Sequence, residues 1–280
     1  MAIDFPASPA LNQSFTAAGL VYIWNGYAWT GGGPAAAVLA HGQCRYVWEG
    51  ANACRLVPYN GNALIISGKS EIVPAAGIPI TGAGTFANTN YYIYAYMNAG
   101  VMALEKATTG YARHTNGVII KSGDPSRTLV GMSRSFDGTT WLSEQTYGIY
   151  NISWFNRRKL SVQGQIATGS TAATTPTEVN SSTRIHLMNW GGEAVSLINN
   201  GAIILSALGT PSLSIWMDNT AQLGAGPSVT IPTGTYYHNA AVAQEFVPAE
   251  GYHFYNVKTT SPAGTSTVTL NYGLCGSTWG

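Results

Sequence analysis

Short segments of alternating apolar and polar residues, broken by Gly, Asn, Pro and Ser, fill most of this chain. Residues 91–97 (YYIYAYM) and 101–105 (VMALE) flank a turn signal, Asn-Ala-Gly, and residues 44–48 and 54–57 form a similar pair. Segments rich in β-branched and aromatic residues, with turn residues between them, are typical of sandwiches and barrels. The pattern predicts an all-β protein whose larger parts resemble jelly-roll sandwiches.

Helical periodicity is almost absent from the chain. Residues 35–40, after Pro34, could form a turn or two of helix. Residues 240–246 fit a helix and a strand equally well, because a short apolar run does not distinguish the two.

The first part of the chain stands apart from the rest. Residues 14–16 and 20–24 predict two short strands, and Asn25-Gly26 is a strong hairpin signal before a third. Three short strands make only a marginal core, so we expect attachment rather than chemistry from this part. Together with the glycine-rich joint at residues 31–34, the pattern predicts three parts. They are a small N-terminal β module at 1–33, a central β domain at 34–158 and a C-terminal β-sandwich at 159–280.

Charged residues are unusually scarce. They make up 9% of the chain, whereas an ordinary soluble domain has about 25%. No apolar run reaches the roughly 20 residues that a membrane-spanning helix needs. A monomer with so little charge would associate readily, since surface charge keeps proteins dispersed. The composition therefore indicates a subunit of an assembly.

The charge balance and the N-terminus exclude several functions. A net charge of +1 gives no reason to expect nucleic acid or a membrane as a partner. The basic cluster at residues 157–159 is interpreted as a solvated linker. Residues 1–6 lack the basic and apolar regions of a secretory signal, so we expect synthesis in a reducing cytosol.

The cysteines and histidines do not suggest a metal or cofactor site. Cys44, Cys54 and Cys275 are too few for a disulfide scaffold and odd in number, and whether Cys44 and Cys54 are bridged stays open. His41 and Cys44 lack the second ligand pair that zinc requires. We expect no metal and no cofactor.

Catalytic patterns are equally scarce, and we expect no catalytic residues. A glycoside hydrolase needs two carboxylates facing one sugar, and Glu245 and Glu250 are the close pair late in the chain. Turn residues surround them, so a polysaccharide depolymerase remains only an alternative. A nucleophile elbow with its acid and histidine does not occur either. His186 and His253 lie on aromatic-rich segments and are expected to be core or interface residues.

Aromatic residues are plentiful, with 16 Tyr and 8 Trp. Tyr and Trp combine an apolar body with a polar tip, which suits interfaces and stacking on sugar rings. The candidate receptor or glycan contacts are Tyr236, Tyr237 and Trp216. The tyrosines of residues 91–96 could line a groove, but packing on a half-buried sheet explains them better.

Several motifs of the chain resemble those of structural proteins of tailed bacteriophages. Residues 3–9 (IDFPASP) and 24–29 (WNGYAW) are similar to a small module of phage tail and fibre proteins, which begins DFP-x-SP and ends W-[DN]-G-x-x-W. Further along, the chain is similar to a family of minor virion proteins at HGQCR (41–45), LVPYNG (56–61), GV (117–118) with KSGDPSRTLVGM (121–132), and SWFNRR (153–158). Cys54 departs from that pattern.

The resemblance implies a virion component without catalytic residues. We expect a short surface fibre or spike, trimeric, that contacts other virion proteins and contributes to host attachment. The alternatives are a capsid-decorating or head-fibre protein and, from another class, the depolymerase. A host-encoded adhesin is disfavoured by the missing export signal. The resemblance implies that anchoring to the virion depends on Phe5, Pro6, Trp24, Asn25, Gly26 and Trp29.

Overall fold

The computed structural model of the protein is all-β, as the pattern predicts. Among the described residues the helical geometry is limited to one 3₁₀ turn, Ser181–Thr183. The structure describes residues 4–17, 20–31, 40–50, 53–142, 147–226, 230, 234–262 and 267–280, without the side chains of 234–240. It divides into two compact units, Met1–His41 and Gly42–Gly280.

The first unit contains a three-stranded antiparallel sheet in the order β1-β2-β3. Its strands are β1 (Ser14–Ala17), β2 (Leu20–Trp24) and β3 (Trp29–Gly31). Trp24 lies opposite Trp29, so the hairpin predicted at Asn25-Gly26 is confirmed.

The second unit begins with strands that, with the exception of β14, form two sheets and a hairpin. These strands are β4 (Cys44–Gly50), β5 (Ala53–Pro58), β6 (Ala63–Ile66), β7 (Lys69–Ile72), β8 (Ile78–Ile80), β9 (Asn90–Asn98), β10 (Val101–Ala107), β11 (Tyr111–Arg113), β12 (Ile119–Lys121), β13 (Asp124–Arg134), β14 (Gly148–Ile149) and β15 (Asn151–Ser153). One sheet has the order β10-β9-β13-β12-β11, with β15 on β13, and another has the order β4-β5-β8. Strands β6 and β7 pair with each other.

The remaining strands, together with β14, form two further sheets. They are β16 (Lys159–Gln163), β17 (Ala167–Thr171), β18 (Thr177–Glu178), β19 (Ile185–Asn189), β20 (Val195–Leu205), β21 (Ser212–Met217), β22 (Ala221–Ala225), β23 (Gly234–Phe246), β24 (Gly251–Thr260) and β25 (Val268–Trp279). One sheet has the order β14-β19-β24-β21-β22, with β18 on β24. The other has the order β16-β25-β20-β23, with β17 on β25.

Two hydrophobic clusters form the core of the second unit. One lies within the first part of the unit and includes Leu56, Ile93 and Trp141, each at most 1% exposed. The other joins Tyr94 and Leu129 to buried residues of the later sheets. Alternation along β25 shows how the later sheets fill it, because every second residue from Val268 onward is buried.

Strand β14 joins the two parts of the unit directly. It runs parallel to β19, with Gly148 opposite His186. One core cluster also takes side chains from both sides of residue 158. The domain boundary predicted there stays a prediction.

The other local predictions have clear outcomes. Strands β4 and β5 pair as predicted, as do β9 and β10. Residues 240–246 are strand rather than helix. The short helix considered at 35–40 lies outside the described residues, apart from Ala40.

Cys44 and Cys54 do not form a disulfide. In the β4–β5 register, Cys44 lies opposite Pro58 and Cys54 lies opposite Trp48. This offset of four residues separates the two by about 13 Å along the strands. A disulfide needs Cα atoms within about 7 Å of each other. The open question about this pair is therefore answered by the register.

Candidate functional site

The N-terminal sheet carries a cluster of aromatic rings on one face. The Phe5 ring stacks on Trp29, with centroids 5.4 Å apart and an interplanar angle of 16°. Phe15 and Tyr22 lie opposite each other in the register. Their ring centroids lie 5.6 Å and 5.0 Å from the centroid of the Phe5 ring. Phe5 therefore packs across the sheet from the segment that precedes it.

A side-chain cap builds the turn between β2 and β3. Oδ1 of Asn25 accepts the backbone N–H groups of Tyr27 and Ala28, each at 2.9 Å. Gly26 has φ +98°, a conformation that glycine adopts without steric cost. The turn holds the Trp24 and Trp29 rings 5.7 Å apart. The spacing of the W-N-G-x-x-W motif is thus explained by this cap.

No described side chain of residues 4–31 is fully buried. Leu11 is 67% exposed and Tyr27 is 93% exposed, and Leu20 and Ile23 are also exposed. A sheet of this size gains stability mainly by packing on something larger. The module therefore has an apolar surface available for a partner.

The residues predicted to anchor the module mostly build its fold. The side chains of Phe5, Trp24 and Trp29 pack inward and are half-buried, as is Pro6, whereas Asn25 and Gly26 form the turn. The prediction missed Ile23, although strand alternation places it on the face opposite Tyr22 and Trp24. An anchoring role for the predicted residues stays a prediction.

Trp216 lies on β21, on the outer face of the β14-β19-β24-β21-β22 sheet. Its indole N–H donates to Oγ of Ser214 at 2.8 Å. Nζ of Lys258 lies 4.2 Å from the ring centroid, so this ammonium covers one face of the ring. A receptor contact at Trp216 stays a prediction, as do Tyr236 and Tyr237, whose side chains lie outside the described residues.

Arginines and aromatic rings alternate on the same outer face. The Arg134 guanidinium lies 3.9 Å from the Tyr252 centroid, and the Arg184 guanidinium lies 4.4 Å from the Phe254 centroid. His186 stacks on Tyr252 with centroids 5.9 Å apart. Burial, with these two arginines, lowers the pKa of His186 to about 4. The imidazole is therefore uncharged at neutral pH and belongs to the packing.

The second predicted histidine is also fully engaged. Nδ1 of His253 lies 2.6 Å from Oδ2 of Asp218, and Nε2 lies 3.0 Å from the carbonyl oxygen of Ala249. Oδ1 of Asp218 accepts the backbone N–H of Phe254 at 3.0 Å. These contacts agree with the expectation of a structural role for His253.

Glu250 connects strands that are far apart in the sequence. Its carboxylate accepts the hydroxyl groups of Tyr92 on β9 and Tyr111 on β11, each at 2.5 Å. It also accepts the backbone N–H of Gly191 at 3.1 Å. Glu245, by contrast, is exposed on β23 opposite Ser196. The two carboxylates considered as a catalytic pair therefore have different surroundings, and Glu250 serves as a hydrogen-bond acceptor within the fold.

Arg157 is not a solvated linker residue, contrary to the interpretation of residues 157–159. Its guanidinium lies 4.3 Å from the Trp154 centroid and forms an ion pair with Glu193. The Trp154 and Trp190 rings meet edge to face at 4.8 Å. The run of charges at residues 157–159 does not indicate this role, because the partners lie outside it: Trp154 is three residues away and Glu193 is 36 residues away.

The tyrosines around Glu250 make stability sensitive to high pH. Burial, followed by the nearby carboxylates, raises the pKa of Tyr92, Tyr94 and Tyr111. A tyrosine in the unfolded chain ionises near pH 10. The folded state keeps these protons longer, so the stability they confer is complete below about pH 10 and is lost as the pH rises further.

We therefore expect the free energy of unfolding to fall above about pH 10, by up to about 1.4 kcal/mol per pH unit for each such tyrosine. Denaturant unfolding measured across this pH range tests the expectation. Tyr111→Phe removes one ionising group, so its slope should be shallower. A free energy that stays flat from about pH 9 to about pH 11 would contradict the raised pKa values of these tyrosines.

Metal-binding clusters and membrane-spanning helices are both missing from the part of the chain that the structure describes. Among the described residues, no group of three or more His, Cys, Asp or Glu side chains could hold a metal ion. None of the described segments is a helix long and apolar enough to span a membrane.

No protein-family model and no curated protein matches the chain. Several solved structures are distantly similar. The VP2 subviral particle of infectious bursal disease virus has 11% identity and a TM-score of 0.30, covering 85% of this chain and 73% of that chain. The insecticidal delta-endotoxin Cry8Ea1 from Bacillus thuringiensis has 8% identity and a TM-score of 0.28, covering 83% of this chain.

The chain spans about half, 51%, of that toxin chain. A third neighbour is BpGH86A, a β-porphyranase of glycoside hydrolase family 86 from Bacteroides plebeius, with 11% identity and a TM-score of 0.26. The aligned region covers 86% of this chain and 37% of the β-porphyranase chain. Viral capsid, toxin and enzyme chains thus occur together among the neighbours. At such low TM-scores none of these similarities carries an argument about function.

Proposed function

We propose that this chain is a structural protein of a tailed-bacteriophage particle, a short surface fibre or spike that contributes to host attachment. The observation that carries the proposal is the N-terminal module. It belongs to a compact unit of its own, and its described residues expose Leu11, Leu20, Ile23 and Tyr27 without burying any side chain fully. Such a module is suited to docking on a larger partner.

The rest of the chain supports a structural role in an assembly. Charged residues amount to 9% of the sequence, which favours surfaces that are covered by other subunits. Glu250, one of the carboxylates weighed for catalysis, is engaged by two tyrosines. The phage-like motifs at residues 3–9 and 24–29 include Phe5, Trp24 and Trp29, whose rings pack together in the module.

Particle incorporation tests the proposal. Particles released from cells that express the wild-type or a variant chain are purified, and the chain is quantified in them by mass spectrometry. Trp29→Ala removes a ring that contacts Phe5, Phe15 and Trp24, so we expect about tenfold less chain per particle or lower. Tyr27→Ala removes the most exposed aromatic side chain of the module and should also lower incorporation.

The matched control is Phe86→Ala in the second unit, where the side chain is 78% exposed. It should enter particles at the wild-type level. Gold labelling of the same particles distinguishes a surface fibre or spike from the alternatives, since label on heads would favour a decorating or head-fibre protein. Absence of the wild-type chain from purified particles would refute the proposal.

A further inference from the structure

The β16-β25-β20-β23 sheet leaves one face open to solvent. Along β25, Leu270, Tyr272 and Leu274 point into the core, and the residues between them point outward. On this outward side, Ile198 is 54% exposed and Trp279 is 48% exposed. We call this surface the uncharged face.

Small neutral side chains make up nearly all of the uncharged face. Its outward-facing positions are mainly Ser, Thr, Asn, Gln, Ala and Ile. Among the described outward-facing positions of the four strands, Lys159 and Glu245 carry the charges. A shallow depression of about 510 Å³ lies on this face between Ser161, Ile198 and Cys275.

The two charges lie on opposite edges of the sheet. Lys159 is on the edge strand β16 and Glu245 is on the edge strand β23. Ser161, Ser277, Ser196 and Glu245 form one row across the strands. Lys159 is two residues from Ser161 on β16, or about 7 Å along the strand. The charges are therefore at nearly the same height, within reach of a lysine side chain.

We propose that the uncharged face packs against the same face of a second copy of this chain, with Lys159 of one copy beside Glu245 of the next. The inference rests on the proposed function, which calls for an assembled fibre or spike. Rotation about an axis parallel to the strands preserves height along them and brings the β16 edge of one copy to the β23 edge of its neighbour. This holds for a closed pair and for a three-fold ring alike.

The area of the uncharged face is adequate for such an interface. Strands β25, β20 and β23, of 12, 11 and 13 residues, and the five-residue β16 lie about 4.8 Å apart and cover roughly 600 Å² before side-chain relief is counted. Specific interfaces bury about 600–1,000 Å² per partner, so the face reaches the lower end of that range. A sheet face built from small side chains can approach its partner closely, as paired sheets do at about 10 Å.

The opposite outer surface of the same part of the chain provides the contrast. The β14-β19-β24-β21-β22 sheet carries the partly exposed charged residues Arg184, Glu178 and Lys258 beside its aromatic rings. Charged side chains are depleted at the centres of interfaces. The difference between the two surfaces therefore identifies the uncharged face as the one that is covered.

A charge-exchange experiment on the full chain tests the proposal. Lys159→Glu and Glu245→Lys each place like charges together, so each should raise the concentration at the midpoint of assembly about tenfold or more, measured by sedimentation velocity. The double variant Lys159→Glu with Glu245→Lys should restore assembly. Lys69→Glu, the same charge change at an exposed position of β7, is the matched control and should leave the midpoint unchanged.

Two further measurements do not depend on the ion pair. Ile198→Lys puts a charge at the centre of the face and should leave the chain monomeric at micromolar concentration. Cys275 is exposed on this face, whereas Cys44 and Cys54 are buried, and burial raises the pKa of Cys44 to about 12. Maleimide labelling of wild-type Cys275 should therefore slow markedly as the protein concentration passes the assembly midpoint.

Three results would overturn the proposal. They are a monomeric wild-type chain at micromolar concentration, an Ile198→Lys variant that still assembles, and Cys275 labelling that does not depend on protein concentration. The outcome is separable from that of the proposed function. If the wild-type chain is found in particles but the Ile198→Lys variant still assembles, only the proposed interface is refuted. A chain that assembles through this face but is absent from particles would refute the function alone.

Discussion

Replacing Trp190 with alanine will lower the free energy of unfolding by about 3–5 kcal/mol, the range measured when a large buried aromatic is truncated. The Trp190 side chain is 0% exposed. Its indole N–H donates to the carbonyl oxygen of Ser153 at 3.0 Å. Truncation would leave both a cavity and an unpartnered carbonyl oxygen.

The position of Trp190 explains why the loss should be large. Its ring meets Trp154 edge to face at 4.8 Å and Tyr111 at 6.2 Å, and the Arg157 guanidinium lies 5.3 Å from it. Tyr111 in turn donates to Glu250. A cavity here would loosen the contacts that connect residues before 158 with those after it.

Denaturant unfolding of matched variants, at one protein concentration and neutral pH, measures this effect. Trp190→Phe keeps an aromatic ring but loses the N–H donor, so it should cost about 1–3 kcal/mol. Phe86→Ala, an exposed position, should stay within about 0.5 kcal/mol of wild type. A loss below about 1 kcal/mol for Trp190→Ala would show that the contacts around Trp190 contribute little to the stability of the core.

Contacts that are local in the sequence could be predicted from it. The pairing of β9 with β10 follows from alternating residues on both sides of an Asn-Ala-Gly turn, and Ala99 and Gly100 both have positive φ there. The hairpin at Asn25 and Gly26 follows from the same reasoning. In each case the strand pattern and the turn chemistry agree within a single hairpin.

Contacts between distant segments could not be predicted in this way. Glu250 meets Tyr92 and Tyr111 across 158 and 139 residues of sequence. The parallel pairing of β14 with β19 also depends on the arrangement of whole sheets. Periodicity reports which face of a strand is buried, but it does not identify the strand that covers it.

Residues 240–246 show where local preference ends. Their apolar pattern fits a helix as well as a strand. In the fold, Ala243 lies opposite Ile198 and Ala241 opposite Asn200, so pairing with β20 decides the outcome. Tertiary context overrides a weak propensity here, as it commonly does for short segments.

Replacing Glu250 with alanine should lower the free energy of unfolding by about 2–4 kcal/mol, because it leaves two tyrosine hydroxyls and one backbone N–H without their acceptor. Each of these donors has Glu250 as its acceptor, at 2.5, 2.5 and 3.1 Å. Hydrogen bonds to a charged group are stronger than neutral ones. Glu250→Gln keeps one acceptor oxygen and should cost less, about 1–2 kcal/mol. Glu245→Ala, compared with wild type below the midpoint concentration of assembly, is the matched control and should change stability by less than about 0.5 kcal/mol.

The same variants distinguish a structural carboxylate from a catalytic one. A general acid or nucleophile can be replaced by its amide with little loss of stability while sugar release disappears. If the Glu250 carboxylate instead holds Tyr92 and Tyr111 together, its replacement lowers the free energy of unfolding, and the wild type itself shows no hydrolysis. We therefore expect wild type, Glu250→Gln and Glu245→Ala all to release no reducing sugar from host capsular polysaccharide. Sugar release by the wild type, abolished in Glu250→Gln at unchanged stability, would instead make the protein a depolymerase.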